Sequence, residues 1–357
     1  MRPIDFSSSV PAYMQLYRNL RSDIIDGVYP YGTKILSKRA CAERMGVSVI
    51  TVEHAYEILC DEGYLKSRCK SGYYVDYRLQ DTGATPLFAE HSPISAPTEV
   101  SEDAFPFSTL VKTYRRILTE YGENLLCRCP NGGCMELRRA LSLYLARSRG
   151  IFATPDQIII GSGSEYLYGL VVQMLGRTRR YGVEDPSYEK IHGAYRSNGA
   201  SCDRLKMGSD GILTDELQRT DASVLHVTPF NSYPSGVTAS ASKRHEYVRW
   251  AQQRDGFIVE DDFDSEFTLS SKAEETVFSL DPYRVIYMNT FSRTVAPSIR
   301  VGYMVLPEKL IDPYYLTVGQ FSCPVPVFEQ YLLAELIDSG DFERHINRVR
   351  RKRRKEK

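Results

Sequence analysis

The chain has 357 residues, 42% of them hydrophobic and 25% charged, which is about twice the usual length of one domain and the make-up of a soluble globular protein. Its 45 lysines and arginines balance 45 acids, which excludes whole-molecule attraction to nucleic acid or membrane and leaves local patches for any such role. The N-terminal MRPIDFSSSVPAYMQ lacks the apolar core of a signal peptide, and no run of about 18 apolar residues occurs, so a cytoplasmic protein is expected.

In chain order, a first unit is expected over residues 1–77. Pro11 precedes and Gly27 follows a helix whose Tyr13, Tyr17, Leu20 and Ile24 share one face. Ser37 caps a short helix that Gly46 stops, and Ser48 caps a second that runs to Glu62, so the two meet across a three-residue turn. The second helix buries Val52, Ala55, Tyr56 and Leu59, spaced i, i+3, i+4, i+7, and leaves Ile50, Glu53, His54 and Glu57 open. GYLKSRCKSGYYVDY then reads as a hairpin around a Lys-Ser-Gly turn. A helix, a helix-turn-helix and a wing form a DNA reader whose second helix enters the major groove; the plainer reading is a helical protein-interaction module.

This stretch resembles the GntR family of bacterial transcription regulators. The matching residues are Ser37, Arg39, Ala42, Gly46-Val47-Ser48, Thr51-Val52, Ala55-Tyr56, Leu59 and Glu62-Gly63-Tyr64-Leu65. The resemblance implies operator DNA as the partner, with Arg39, Ser48, Thr51 and Arg68 facing it; Lys38, His54 and Lys70 complete the expected DNA surface. Two positions depart from the family: its usual arginine after the capping serine is Val49, which cannot bridge to a phosphate or to guanine, and a usual wing glycine is Lys70. Eleven lysines and arginines stand against nine acids in this unit, so modest binding that depends on a dimer spanning two half-sites is expected.

Residues 78–104, rich in Pro, Ser, Thr and Ala without helical periodicity, read as a linker. From 105 to 357 helical and β-like segments alternate, the pattern of an α/β domain with a mostly parallel sheet. DQIIIGSGSEYLYGL is a strand, then Gly161-Ser-Gly-Ser164, then a helix: either a backbone cradle for an anion or a plain strand-to-helix turn. YGVEDPSYEKI sets Tyr188 just past a strand end. GFIVEDDFDSEF runs a buried strand into Glu260, Asp261, Asp262 and Asp264 around Phe263, which is either a ligand-binding strand end or a solvated acidic turn. VIYMNTFSRTVAPSIRVGYMVLP is a strand and turn carrying Arg293 and Arg300, seven residues apart.

The eight cysteines, at 41, 60, 69, 127, 129, 134, 202 and 323, suit free thiols. Cys127, Cys129 and Cys134 lie close together without zinc spacing or a nearby histidine, so no metal site is expected.

Taken in order, these stretches resemble the fold-type I aminotransferases that use pyridoxal phosphate, and the whole chain resembles the MocR-type regulators, in which a GntR reader is fused to an aminotransferase-like domain. LRRALSLYLARSRG, VEDPSY, VEDDFDSEF and TFSRTVAPSIRVGYMVLP carry the likeness. It implies that Ser162, Gly163, Ser164, Thr290, Ser292 and Arg300 hold the cofactor phosphate, that Tyr188 stacks on its ring, and that Asp261 pairs with the ring nitrogen. Arg293 stands where the family has its Schiff-base lysine, and Phe263 where it has a tyrosine for the ring oxygen. A guanidinium does not shed its proton to become a nucleophilic amine, so weak, non-covalent pyridoxal phosphate binding or none is expected. Family members continue past FERHINRVRRKRRKEK into a small domain, which is expected to be missing here; the basic run reads as a solvated helix end or a DNA-contacting tail. The expected protein is a homodimeric regulator whose aminotransferase-like domain senses an effector or serves as a scaffold; the alternative is an aminotransferase that also binds DNA.

Overall fold

The computed structural model describes residues 3–6, 10–68, 71–78, 103–268 and 274–356. Lys70 and nearly all of the expected linker lie outside the described residues. The chain divides into two compact units, Met1–Thr98 and Glu99–Lys357.

The first unit contains α1 (Ala12–Ile25), α2 (Lys38–Met45) and α3 (Val49–Asp61), then β1 (Leu65–Arg68) and β2 (Gly72–Val75). The Ser37 hydroxyl accepts from Ala40 N–H and the Ser48 hydroxyl from Thr51 N–H, each satisfying an amide that the helix start leaves unpaired. Gly46 ends α2 in the left-handed region at φ 67°, where a Cβ would be strained. Val52, Ala55, Tyr56 and Leu59 of α3 are fully buried against Leu16, Leu20 and Ile24 of α1. On α1, Leu16 takes the buried place expected of Tyr13, which is half-buried and stacks on His54 with ring centroids 4.2 Å apart. The strands pair antiparallel, from Leu65 opposite Val75 to Arg68 opposite Gly72.

In the second unit, α4 (Phe107–Tyr121) and α5 (Met135–Arg149) lead to β3 (Ile158–Gly161), α6 (Ser164–Leu175), β4 (Arg180–Asp185) and α7 (Glu189–Ser197). Next come β5 (Ser201–Gly208), β6 (Gly211–Ile212), α8 (Thr214–Arg219), β7 (Val224–Val227), α9 (Ala241–Gln253) and β8 (Phe257–Asp261). Then follow α10 (Val277–Leu280), β9 (Val285–Thr290), β10 (Gly302–Val305), α11 (Ile311–Thr317), α12 (Val327–Asp338) and α13 (Asp341–Glu356).

The eight strands form one sheet in the order β3-β10-β9-β8-β7-β4-β5-β6. From β9 to β5 all neighbours are parallel, whereas β10 runs against β3 and β9, and β6 against β5. Alternate residues feed two separate cores. Ile158 and Ile160 face one with Val285 and Tyr287; Ile159 faces the other with Ile286 and Met288. Helices cover both faces, which is why these strands read as continuous apolar runs. The last helix is anchored through buried Phe342, Ile346 and Val349, and Arg353 pairs with Asp103 at 3.0 Å, so part of the basic run is engaged within this unit.

Candidate functional site

The chain leaves β4 toward β5 on one side and later returns to β7 on the other, so the order in which strands are added across the sheet reverses between the parallel strands β4 and β7. In open α/β sheets such a switch opens a crevice at the carboxyl ends of the strands. Here it is a cavity of about 340 Å³. Ser164, Tyr188, Asp261, Phe263, Thr290, Ser292, Arg293 and Arg300 line it, drawn together from α6 and the ends of β4, β8 and β9. Ser162 is not in the lining, and Gly163 stands just behind it as the N-cap of α6.

The acids at the end of β8 and just beyond it are sorted by the pleat. All four are buried, so none belongs to a solvated turn. Glu260 accepts from the Val277 and Phe278 amides at 2.9 and 2.7 Å, and Asp262 takes the Tyr287 hydroxyl at 2.7 Å and the Arg149 guanidinium at 2.9 Å. Between them Asp261 points the other way, into the cavity. Its Oδ2 accepts from the Tyr168 hydroxyl, and its buried Oδ1 has no hydrogen-bond partner. Burial and the Asp261 charge push the Tyr168 phenol well above its ordinary pKa, so it stays a donor. An unpaired buried carboxylate oxygen is costly, and here it faces a cavity where a ligand N–H could pair with it.

Gly163 has φ 84°, and a Cβ there would lie 2.9 Å from Arg300 Nη2. The missing side chain therefore leaves room for the guanidinium beside the first turn of α6. The helix start has no side-chain cap, so its amides remain open to an anion. Among the described residues Arg300 has no hydrogen-bond or ion-pair partner.

Arg293 is engaged. Its Nη2 lies 3.1 Å from Asp264 Oδ1 and its guanidinium 5.4 Å over the Phe263 ring, with the side chain 43% exposed. Asp264 also accepts from Asn231 Nδ2 at 2.6 Å. Sequence reasoning missed this arrangement, because Asn231 comes from the loop after β7. Tyr168, Thr228, Tyr233, Glu165 and Lys190 also line the cavity unforeseen. Only Tyr168 had a local signal: it lies one helical turn after Ser164 and so shares its face. Lys190 is bound by Glu165 at 2.7 Å, a contact that raises its pKa and keeps the ammonium protonated.

Loop residues 228–232 are held by Glu184, the penultimate residue of β4. Its oxygens accept from Thr228 N–H at 3.1 Å and from the Ser232 hydroxyl at 2.6 Å. Full burial pushes this carboxyl up to about 8.

In the first unit Arg39 is exposed at the start of α2 and has no partner among the described residues. Ser48 and Thr51 open α3 with their hydroxyls 2.8 Å apart, and Ile50 beside them is 77% exposed. Arg68 ends β1, with its guanidinium 4.5 Å over the Tyr74 ring. Two expected DNA residues have internal partners: Lys38 is ion-paired with Glu53, and one face of His54 is covered by Tyr13.

Residues 12–75 match the family model for bacterial regulatory proteins of the gntR family. YdeL of Bacillus subtilis, an HTH-type transcriptional regulator, is 32% identical over 98% of this chain and 78% of its own. The probable rhizopine catabolism regulatory protein MocR of Rhizobium meliloti is 30% identical over 98% of this chain and 76% of its own. Among solved structures, the kynurenine aminotransferase of Pyrococcus horikoshii, in complex with PMP, superposes with a TM-score of 0.63 at 26% identity, over 69% of this chain and 64% of that one. The chain thus spans less than two thirds of that aminotransferase. A winged helix-turn-helix unit, an aminotransferase-like α/β domain and relatives at this identity over nearly the whole of this chain together establish that the chain belongs to the MocR-type, GntR-family transcription regulators.

Proposed function

We propose that this DNA-binding regulator uses its aminotransferase-like domain as a sensor for a phosphorylated pyridine of the vitamin B6 type, held reversibly and without a covalent link, and that it does not transaminate. The residues of the cavity fit such a ligand. Arg300, the open amides of α6 and the hydroxyls of Ser164, Thr290 and Ser292 suit its phosphate. Tyr188 suits the ring face, and the unpaired Asp261 Oδ1 suits a protonated ring nitrogen. When bound, a protonated pyridine of this kind supplies an electron sink to the carbon attached to its ring.

The observation that carries the reading is Arg293. Transamination needs a neutral amine that attacks the cofactor aldehyde and then carries a proton between carbons. Arg293 is a guanidinium paired with Asp264 and laid over Phe263, and it keeps its proton. Lys190, at the rim, is held as an ammonium by Glu165. Neither can do that work. Phe263 has no hydroxyl to offer the ring.

The reader works in the cytoplasm as part of a homodimer on two operator half-sites. Arg39, Ser48, Thr51 and Arg68 make the phosphate and base contacts, and ligand occupancy of the large domain changes the regulatory output.

Titration with pyridoxal phosphate, followed by visible absorbance and borohydride trapping, tests this. The wild-type protein should give a weak, saturable change with no trapped label, whereas Arg293→Lys should take up label at residue 293. Trapped label in the wild-type large domain, or turnover of an amino acid with a keto acid, would overturn the reading.

A further inference from the structure

Three thiols meet away from the cavity lining. Cys129 lies in the segment before α5, Cys134 is the N-cap of α5, and Cys323 precedes α12. The Cys129 and Cys134 sulfurs are 3.8 Å apart. Gln330 of α12, fully buried, organises the group. Its Nε2 lies 3.1 Å from Cys129 Sγ and 3.7 Å from Cys323 Sγ, while its Oε1 accepts from the Cys134 amide at 2.7 Å.

We propose that Cys129 and Cys134 are a redox-active dithiol that small disulfides oxidise to an intramolecular disulfide. Cys129 is half-buried and so within reach of a reagent, whereas Cys134 is buried behind it. The turn 130–133 between them is closed by Gly133 N–H donating to Pro130 O at 2.9 Å, with Gly133 at φ 101°. That turn keeps both sulfurs on one side. A disulfide bond of about 2.05 Å needs them to approach by about 1.8 Å, within the reach of side-chain rotation. The Gln330 amide donates to Cys129 Sγ, and the Cys134 thiol lies in hydrogen-bonding contact with it. The clustering of the three thiols draws Cys129 below its ordinary pKa and pushes Cys134 and Cys323 up. Cys129, the sulfur a reagent can reach, is accordingly the attacking one, and buried Cys134 the resolving one.

The chemistry balances as thiol–disulfide exchange. The Cys129 thiolate attacks one sulfur of the small disulfide; that S–S bond breaks, a mixed disulfide forms and one thiolate leaves. The leaving thiolate takes up the Cys134 proton. Cys134 then attacks Cys129 Sγ, the protein disulfide forms, and the second small thiolate departs and takes up from solvent the proton Cys129 had released. Two cysteines lose two electrons, and one small disulfide becomes two thiols. Cys323, hydrogen-bonded to Ile160 O at 3.6 Å, keeps its proton.

The test uses the full chain, oxidised glutathione and peptide mass spectrometry after alkylation. Cleavage after Arg128 and Arg138 yields one peptide that holds both cysteines and excludes exposed Cys127. That peptide should become two hydrogens lighter while Cys323 remains alkylatable on unfolding. In Cys134→Ser, a stable glutathione adduct should accumulate on Cys129. The proposal fails if both cysteines stay reduced in wild-type protein when Cys127 is already fully modified, or if the linkage found is Cys129 to Cys323. The wild-type map decides the matter even if the variant does not fold.

Discussion

On the proposed reading Arg293 stands in place of a Schiff-base lysine; in the structure its positive charge is met by Asp264 and its flat face by Phe263. Glu184 shows the same economy on the scale of a proton. Its folded pKa of about 8 lies above the ordinary glutamate value of about 4.3, so the folded protein binds the extra proton between those limits. Stability from the neutral carboxyl is full below about pH 4.3 and falls as pH rises toward 8. Glutamine is always neutral and can still accept from Thr228 N–H while donating to Ser232 Oγ. Glu184→Gln is therefore expected to match wild type near pH 4 and to exceed it by on the order of a few kcal/mol near pH 8. Urea melts at the two pH values check this; parallel curves would mean Glu184 ionises in the fold without penalty.

At the scale of elements, the start of α6 is where backbone geometry meets the proposed ligand. Gly163 lets the chain turn at φ 84° and lets Arg300 lie against the first turn. Gly163→Ala would cost about 1–2 kcal/mol in backbone strain. It would also displace the Arg300 guanidinium, since the new Cβ would sit 2.9 Å from Nη2. The expected outcome is a modest drop in thermal stability together with a loss of phosphate-ligand affinity of about tenfold or more, the size of one charge-assisted contact. Affinity equal to wild type in an absorbance titration would detach this helix start from the ligand. Strand β8 makes a different point: a run of four acids looks uniform in sequence, yet the alternation of the pleat sends Asp261 to the cavity and its two neighbours to the Arg149 and α10 side.

For the whole molecule, zero net charge puts the burden of DNA affinity on a few side chains. Lys38 is ion-paired and His54 is stacked, which leaves Arg39 and Arg68, among the described residues, as the expected DNA-facing cations to meet phosphates. Arg39→Ala should weaken operator and random DNA alike and lower the slope of log affinity against log salt by about 0.9, the value of one phosphate contact. Fluorescence anisotropy over a salt series measures both. An unchanged slope would show that Arg39 does not neutralise a phosphate.

The sequence alone determined the helix starts and stops of the reader, because Ser37, Ser48 and Gly46 act on backbone groups within a few residues of themselves. It also determined the alternation of helix and strand, since burial on both sheet faces writes continuous apolar runs. What tertiary structure decided were the partners far apart in the chain: Asn231 and Arg293 on Asp264, Tyr168 on Asp261, Gln330 among three thiols. Those pairings depend on strand order, and strand order follows from which apolar faces pack together, a property of the whole chain that no short window contains.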